Sequence, residues 1–390
     1  MLSNYFPQAS RRKTYTIIKL KETQSIKGNS MPCEKCDSVT TYHLSGTYQL
    51  LILPPRGHCY SKLLKYLTEN NFDINKRDSG IIELLFTAER AQDIGHALER
   101  CYSQAELEDS KAVLLPIDIA DRNVERVLNH THSLKKIVGL CLSQWLVGLI
   151  ENQGLSTFCQ PILHNTTLKP YGFECLLRGK QDNNILPASD LFGAAKSSDM
   201  LFLLDKKARI CHIENMSKID IADKKIFINF NPTAIYDPLF CLTTTNQSLK
   251  KTSIKPAQIV FEVTESDEVK DKKHLLKIID YYRNQGYCVA LDDLGSGYSS
   301  LNLLTELQPD YVKLDQELIS QIHTNEFKQI ILEKICEMAT KLKIKIICEG
   351  IETEDELQII KNYAIDFYQG FLFEKPMPYE KIPDYIKAST

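Results

Sequence analysis

YCVALDDLGSGYSSLNLLTELQPDYVKLD, residues 287–315, is the stretch that decides the fold. It opens on a short β-rich run, YCVALDD, and turns through Gly295-Ser296-Gly297. It continues as a helical segment, Tyr298–Leu307, and returns after Pro309 as a second β-rich run, DYVKLD. Two strands with a helix between them imply a parallel pair, because an antiparallel pair needs only a tight turn. Both strands end in charge: Asp292 and Asp293 close the first, Lys313 and Asp315 the second.

Outward from this unit the pattern repeats. The β-rich runs FCQPIL, YGFECLLR, KIFINF, IVFEVT, KIKIICEG and DFYQGFLF complete a set with the two above. Helical stretches Leu201–Met216, Lys272–Gln285, Glu317–Leu342 and Thr353–Tyr363 separate most of them. Eight such strands over residues 154–390 predict an α/β domain, a (β/α)8 TIM-like barrel rather than an open sheet. The first two strands have no helix between them, so the first strand is expected to be irregular.

Polar residues recur where these strands end. Glu174, Asn229, Glu262 with Glu265, Asp292 with Asp293, Lys313, Glu349 with Glu352, and Gln369 follow one another along the chain. In a barrel the C-terminal strand ends converge on one face, where barrel active sites lie. Carboxylates crowded into one mouth repel each other unless cations neutralise them. Oxygen ligands without His or Cys point to hard divalent ions, Mg2+ or Mn2+. The adjacent Asp292 and Asp293 suit two metals held close together, the arrangement that clamps a phosphoester in displacement. Lys313 and Arg178 add positive charge for phosphate oxygens. The residues thus predict a metal-dependent phosphoesterase.

The order of motifs resembles the EAL-domain family, phosphodiesterases of cyclic di-GMP. The signature stands as Glu174-Cys175-Leu176-Leu177-Arg178, where the family has Glu-Ala-Leu-Leu-Arg. FCQPI (158–162), FINFNP (227–232), FEVTES (261–266), DDLGSGYSSL (292–301), VKLD (312–315), CEGIET (348–353) and QGFLFEKP (369–376) follow in order. Departures are Cys175 for Ala, Leu294 for Phe, Ser296 for Thr, and Gly179 where Trp is common; none removes a group assigned to chemistry. The resemblance implies that Glu174, Asn229, Glu262 and Asp292 hold one metal, and that Asp292, Asp293 and Glu352 serve a second. It implies that Lys313 orients the attacking water, that Glu349 assists proton transfer and that Gln369 supports the water or metal. Gln160, Arg178, Glu174 and Leu176 would meet the substrate, and Glu265 would tie down the loop carrying Gly295 and Gly297. The implied reaction is hydrolysis of cyclic di-GMP to linear pGpG by water activated between two metals. The alternative is a catalytically weak EAL domain that binds cyclic di-GMP or a protein partner. The resemblance also implies a homodimer.

The remaining sequence is organised differently. Residues 1–30 hold six basic residues and one acid and read as a disordered basic arm, with Met31 as an alternative start. Residues 31–118 read as a small α+β regulatory domain: a strand at 46–55, a helix at Ser61–Asn70, a strand at 80–88 and a helix over Ala91–Leu114. Residues 119–153 read as a helical connector, with Leu140, Trp145 and Leu149 available for packing. Cys33-x-x-Cys36, with His43, His58 and Cys59 near in sequence, offers Zn2+ ligands, a redox pair or ordinary surface thiols. The net charge of −3 argues against a nucleic-acid polymer as partner. Twelve cysteines scattered through apolar runs indicate a reducing, cytoplasmic compartment. The apolar stretch Ile137–Ile150 is too short for a membrane span, which needs about 20 residues.

Overall fold

The computed structural model describes residues 42–55, 57–76, 79–117, 131–182, 184–235, 237–264, 272–295 and 300–389. The basic arm, Cys33, Cys36, Glu265, Gly297 and most of the early connector lie outside the described residues.

A small antiparallel sheet comes first. Its strands are β1 (Thr47–Leu53), β2 (Ile74–Lys76), β3 (Ile82–Thr87), β4 (Lys111–Pro116) and β5 (Thr131–Ser133), in the order β2-β3-β1-β4-β5. Helices α1 (Gly57–Glu69), α2 (Ala91–Cys101), α3 (Gln104–Asp109) and α4 (Leu134–Leu142) accompany it. Leu50, Ile52, Ile82 and Leu84 alternate onto one sheet face and share a core with Leu63 and Leu67 of α1, Leu98 of α2 and Ile137 of α4. The helix expected over Ala91–Leu114 is corrected here. It stops at Cys101, restarts behind a Ser103/Glu106 capping box, and gives way to β4. Short apolar runs such as KAVLLP read equally as helix or strand. Pairing along β1, from Tyr48↔Pro116 to Leu53↔Lys111, supplies the backbone partners that make it a strand.

The connector also differs from the expected helical segment. Residues 131–133 are the edge strand β5, and the apolar stretch after them splits between two cores. Leu134, Ile137, Val138 and Cys141 of α4 belong to the core of the small sheet. Leu146, Val147, Leu149 and Ile150 of the next helix, α5 (Gln144–Glu151), pack with Leu177, Leu191 and Leu203 of the following domain. Gly139 marks the join: a Cβ there would fall 2.0 Å from the carbonyl oxygen of Ser197. Lys136 reaches Asp199 at 2.7 Å across it. Among the described residues no helix is long and apolar enough to cross a membrane.

A second, larger sheet forms the barrel. Its strands are β6 (Leu155–His164), β7 (Pro170–Gln181), β9 (Lys225–Asn229), β10 (Ile259–Thr264), β11 (Cys288–Leu294), β12 (Tyr311–Leu314), β13 (Lys345–Cys348) and β14 (Phe367–Tyr368). Short β8 (Asn184–Leu186) and β15 (Met377–Pro378) extend it. Apart from short β8, which pairs antiparallel with β7, the strands from β7 to β14 run parallel; β6 pairs antiparallel with both β7 and β14 and closes the ring. That reversal is the irregular first strand expected from the missing helix. Ile162, Phe227, Val260, Ala290, Tyr311, Ile347 and Phe367, one from each of seven strands, meet in a single cluster that fills the lower interior.

Candidate active site

Side chains on a strand alternate faces with a period of two. Two residues beyond each apolar plug residue, the same inward face therefore appears again. Phe227 leads to Asn229, Val260 to Glu262, Ala290 to Asp292, Tyr311 to Lys313, Ile347 to Glu349, and Phe367 to Gln369. On antiparallel β6 the count runs backwards from Ile162 to Gln160, which pairs with Glu174 of β7. The polar layer is one storey above the apolar one, at the C-terminal mouth.

Lys313 stands at its centre, almost fully buried. Its Nζ lies 2.6 Å from Glu349, 2.9 Å from Glu262, 3.1 Å from Asp292 and 3.7 Å from Glu174. Amides complete the ring. Gln369 Nε2 donates to Glu174 Oε2 at 2.7 Å and to Gln160 Oε1 at 3.3 Å, and Asn229 Nδ2 donates to Glu174 Oε1 at 3.2 Å. Burial alone would lower the Lys313 pKa, but Asp292, Glu174, Glu262 and Glu349 outweigh it and hold the ammonium charged. Burial pushes Glu262 and Glu349 well above the usual carboxylate range, with Lys313 opposing.

Asp293 reaches this group through a break in the alternation. On β11 and β12, Leu291↔Val312 is followed by Leu294↔Leu314, so β11 carries one extra residue. Asp293 adopts φ +56° within that bulge, and its amide donates to Asp292 Oδ1 at 3.0 Å. A bulge re-aims a side chain that regular pleating would turn away. Burial, then Asp292 and Asp315, raises the Asp293 carboxyl to about 7.

The rim is looser. Glu352 is exposed and accepts from Gln316 Nε2 at 3.2 Å. Leu176 and Arg178 lie two and four residues beyond Glu174 on the same face of β7, both half-buried. Arg178 stacks over Phe158 at 5.6 Å and donates to the Leu177 carbonyl at 2.8 Å. Gly295, at φ +113°, takes a conformation open chiefly to glycine where the chain leaves β11. A cavity of about 240 Å3 joins Gln160, Glu174, Glu349, Glu352 and Gln369. Asp315, Gln316 and Phe371 also line it; of these the sequence pattern marked only Asp315. Asp315 is the charge that closes its strand with Lys313; Gln316 opens the short helix Gln316–Ile319 and Phe371 sits on a turn, and no periodicity marks either.

The donor set fits a divalent cation. Four carboxylates surround one ammonium, so negative charge is in excess. Among the described residues, Glu262 Oε2 and Gln369 Oε1 are buried without a hydrogen-bond partner, and the 2.9 Å contact of Glu262 Oε1 with Lys313 is ionic rather than a directed hydrogen bond. Buried oxygens left this way are costly unless a cation takes them.

The EAL domain family matches residues 143–376, more than half of the chain. The chain belongs to the EAL-domain family. Its EAL region is 30% identical over 240 residues to the probable cyclic di-GMP phosphodiesterase PdeG of Escherichia coli K12, covering 59% of this chain and 46% of that protein. It is 27% identical over 215 residues to the blue light- and temperature-regulated antirepressor BluF of the same organism, covering 55% of this chain and 52% of BluF. The chain thus spans about half the length of these curated relatives. Among solved structures, the standalone EAL protein of Vibrio cholerae O395, described as versatile and bound to c-di-GMP, is similar at 34% identity and a TM-score of 0.54. That match covers 58% of this chain and 93% of the Vibrio protein.

Proposed function

We propose that the chain hydrolyses cyclic di-GMP to linear pGpG with two divalent cations, Mg2+ or Mn2+. The observation that carries this is the ring of Glu174, Glu262, Asp292 and Glu349 around Lys313, with Asn229 and Gln369 between them. Glu174, Asn229, Glu262 and Asp292 would hold one cation; Asp292, Asp293 and Glu352 would hold the second. Bound there, the cations supply positive charge for the phosphodiester oxygens and lower the pKa of water. Lys313 holds the attacking water in line through its ammonium. Glu349, 2.6 Å from that ammonium and with a raised pKa, takes the proton. Gln369 fixes Glu174 through its amide. Arg178 meets a phosphate at the rim, Gln160 and Leu176 flank it, and the exposed ring of Phe371 offers a stacking face for guanine. The relatives support the substrate: the Vibrio EAL protein is bound to c-di-GMP, and PdeG is a probable cyclic di-GMP phosphodiesterase.

The small sheet regulates the barrel from a cytoplasmic chain, and the protein is a homodimer. Helix Glu326–Leu342 supports the dimer: Leu332, Cys336 and Ala339 face the barrel, while Phe327, Ile330, Ile331 and Leu342 are 50–82% exposed on its other side. A second reading is a protein-interaction domain with weak catalysis, favoured by the antirepressor name of BluF.

Chromatographic assay of pGpG release from cyclic di-GMP in Mg2+ or Mn2+ separates the two. The expected result is turnover that Glu174→Ala lowers at least about 100-fold, the range for losing one strong electrostatic stabiliser. Cyclic di-GMP binding without pGpG in either ion would overturn the enzymatic reading.

A further inference from the structure

The geometry points to a second metal site, of the zinc class, on the N-terminal domain, formed by His58, Cys59 and Glu106. One nitrogen, one sulfur and one carboxylate oxygen from these residues lie within 4.8 Å of one another. Cys59 Sγ is 3.3 Å from His58 Nε2 and 3.7 Å from Glu106 Oε1. A tetrahedral ion with bonds of about 2.3 Å to sulfur and about 2.0–2.1 Å to nitrogen or oxygen sets its ligand atoms about 3.5 Å apart. The two observed separations fall on either side of that value. The barrel site offers oxygen alone, whereas this one mixes nitrogen, sulfur and oxygen, which suits zinc and its neighbours in the transition series.

The ligands come from two elements and are held by their surroundings. His58 and Cys59 open α1; Glu106 sits in the first turn of α3. Cys59 is buried, and its carbonyl accepts the Tyr102 hydroxyl at 2.6 Å. Glu106 Oε2 is taken by the Ser103 amide at 2.8 Å as part of the capping box, which leaves Oε1 turned to Cys59. Such supporting contacts orient ligands before the ion arrives. Lys62 Nζ also meets Glu106, at 2.8 Å from Oε2 and 3.1 Å from Oε1. An ion there would share the carboxylate with this ammonium, taking Oε1 while Lys62 keeps Oε2. His58 is exposed, so the ion enters from solvent, and three protein ligands leave a fourth position open to water. Binding would displace the thiol proton of Cys59 to solvent and pin α1 to α3.

Co2+ added to the full chain, with excess Mg2+ to occupy the oxygen-only barrel site, tests this without reference to activity. One Co2+ per chain is expected, with a near-ultraviolet thiolate-to-cobalt absorption that Zn2+ abolishes by displacement. Cys59→Ser should remove the band. His58→Ala and Glu106→Gln should weaken Co2+ binding at least about tenfold. The absence of a thiolate band, or a band unchanged in Cys59→Ser, would overturn the assignment. If burial makes Cys59→Ser fold poorly, the exposed His58 decides: unaltered Co2+ affinity in His58→Ala and Glu106→Gln overturns it equally.

Discussion

Replacing Lys313 with Met is expected to make the metal-free protein about 3–5 kcal/mol less stable, the usual cost of stripping one partner from a buried ion pair. The four contacts of 2.6, 2.9, 3.1 and 3.7 Å would each carry about 4–6 kcal/mol of gross attraction at an effective dielectric of about 20. Most of that does not appear as net stability. Burying the ammonium is itself costly, and Glu262 and Glu349, already pushed up by burial, take up protons once the positive charge is gone. The sign with pH follows. Carboxyls whose folded pKa exceeds the unfolded one favour the folded state in acid and lose that advantage as pH rises. The variant should therefore regain stability as pH falls below neutrality, and should depend more strongly on Mg2+ than the parent protein. Urea unfolding in EDTA and in Mg2+ measures this, read through Trp145, the single tryptophan, which packs against the barrel-side cluster. A variant within about 0.5 kcal/mol of the parent in EDTA, with no added Mg2+ dependence, would refute the reasoning that Lys313 neutralises the ring.

Because Asp293 is raised to about 7, Mg2+ binding near pH 6 should release protons, and apparent affinity should rise between pH 6 and 8; calorimetry in buffers of different ionisation enthalpy checks the release. A chain beginning at Ser143 should stay soluble, whereas one beginning at Asn152 should aggregate, since it loses Leu146, Val147, Leu149 and Ile150 from the barrel-side cluster at about 1.5–3 kcal/mol each. Light scattering compares the two. Ile331→Glu, on the exposed stripe of helix Glu326–Leu342, should turn the proposed dimer into a monomer with little change in unfolding temperature, measured by sedimentation.

Much of the candidate site was legible because it depends on a local rule. Each inward strand residue is followed two places later by another, so acids and amides at the strand ends already implied a common mouth. Asp293 did not follow from that rule. Strict alternation turns it away from Asp292, and the bulge against β12 breaks that alternation and leaves the Asp293 carboxyl within electrostatic reach of Asp292. The N-terminal domain was harder. KAVLLP has no period long enough to separate strand from helix, and its assignment rests on β1, which is more than fifty residues earlier.

By itself the sequence determined the repeated strand–helix unit, the barrel it builds, the chemical nature of its mouth and the irregular start at β6. These follow from periodicity and residue type, which act over a few neighbours. Tertiary structure alone decided that β6 closes the ring by running against both its neighbours. It also placed four carboxylates around one ammonium, divided α4 and α5 between two cores, and set His58 and Cys59 against Glu106. Each of these depends on which distant surfaces meet. Side-chain packing and strand register settle that, and neither is written in any single stretch of residues.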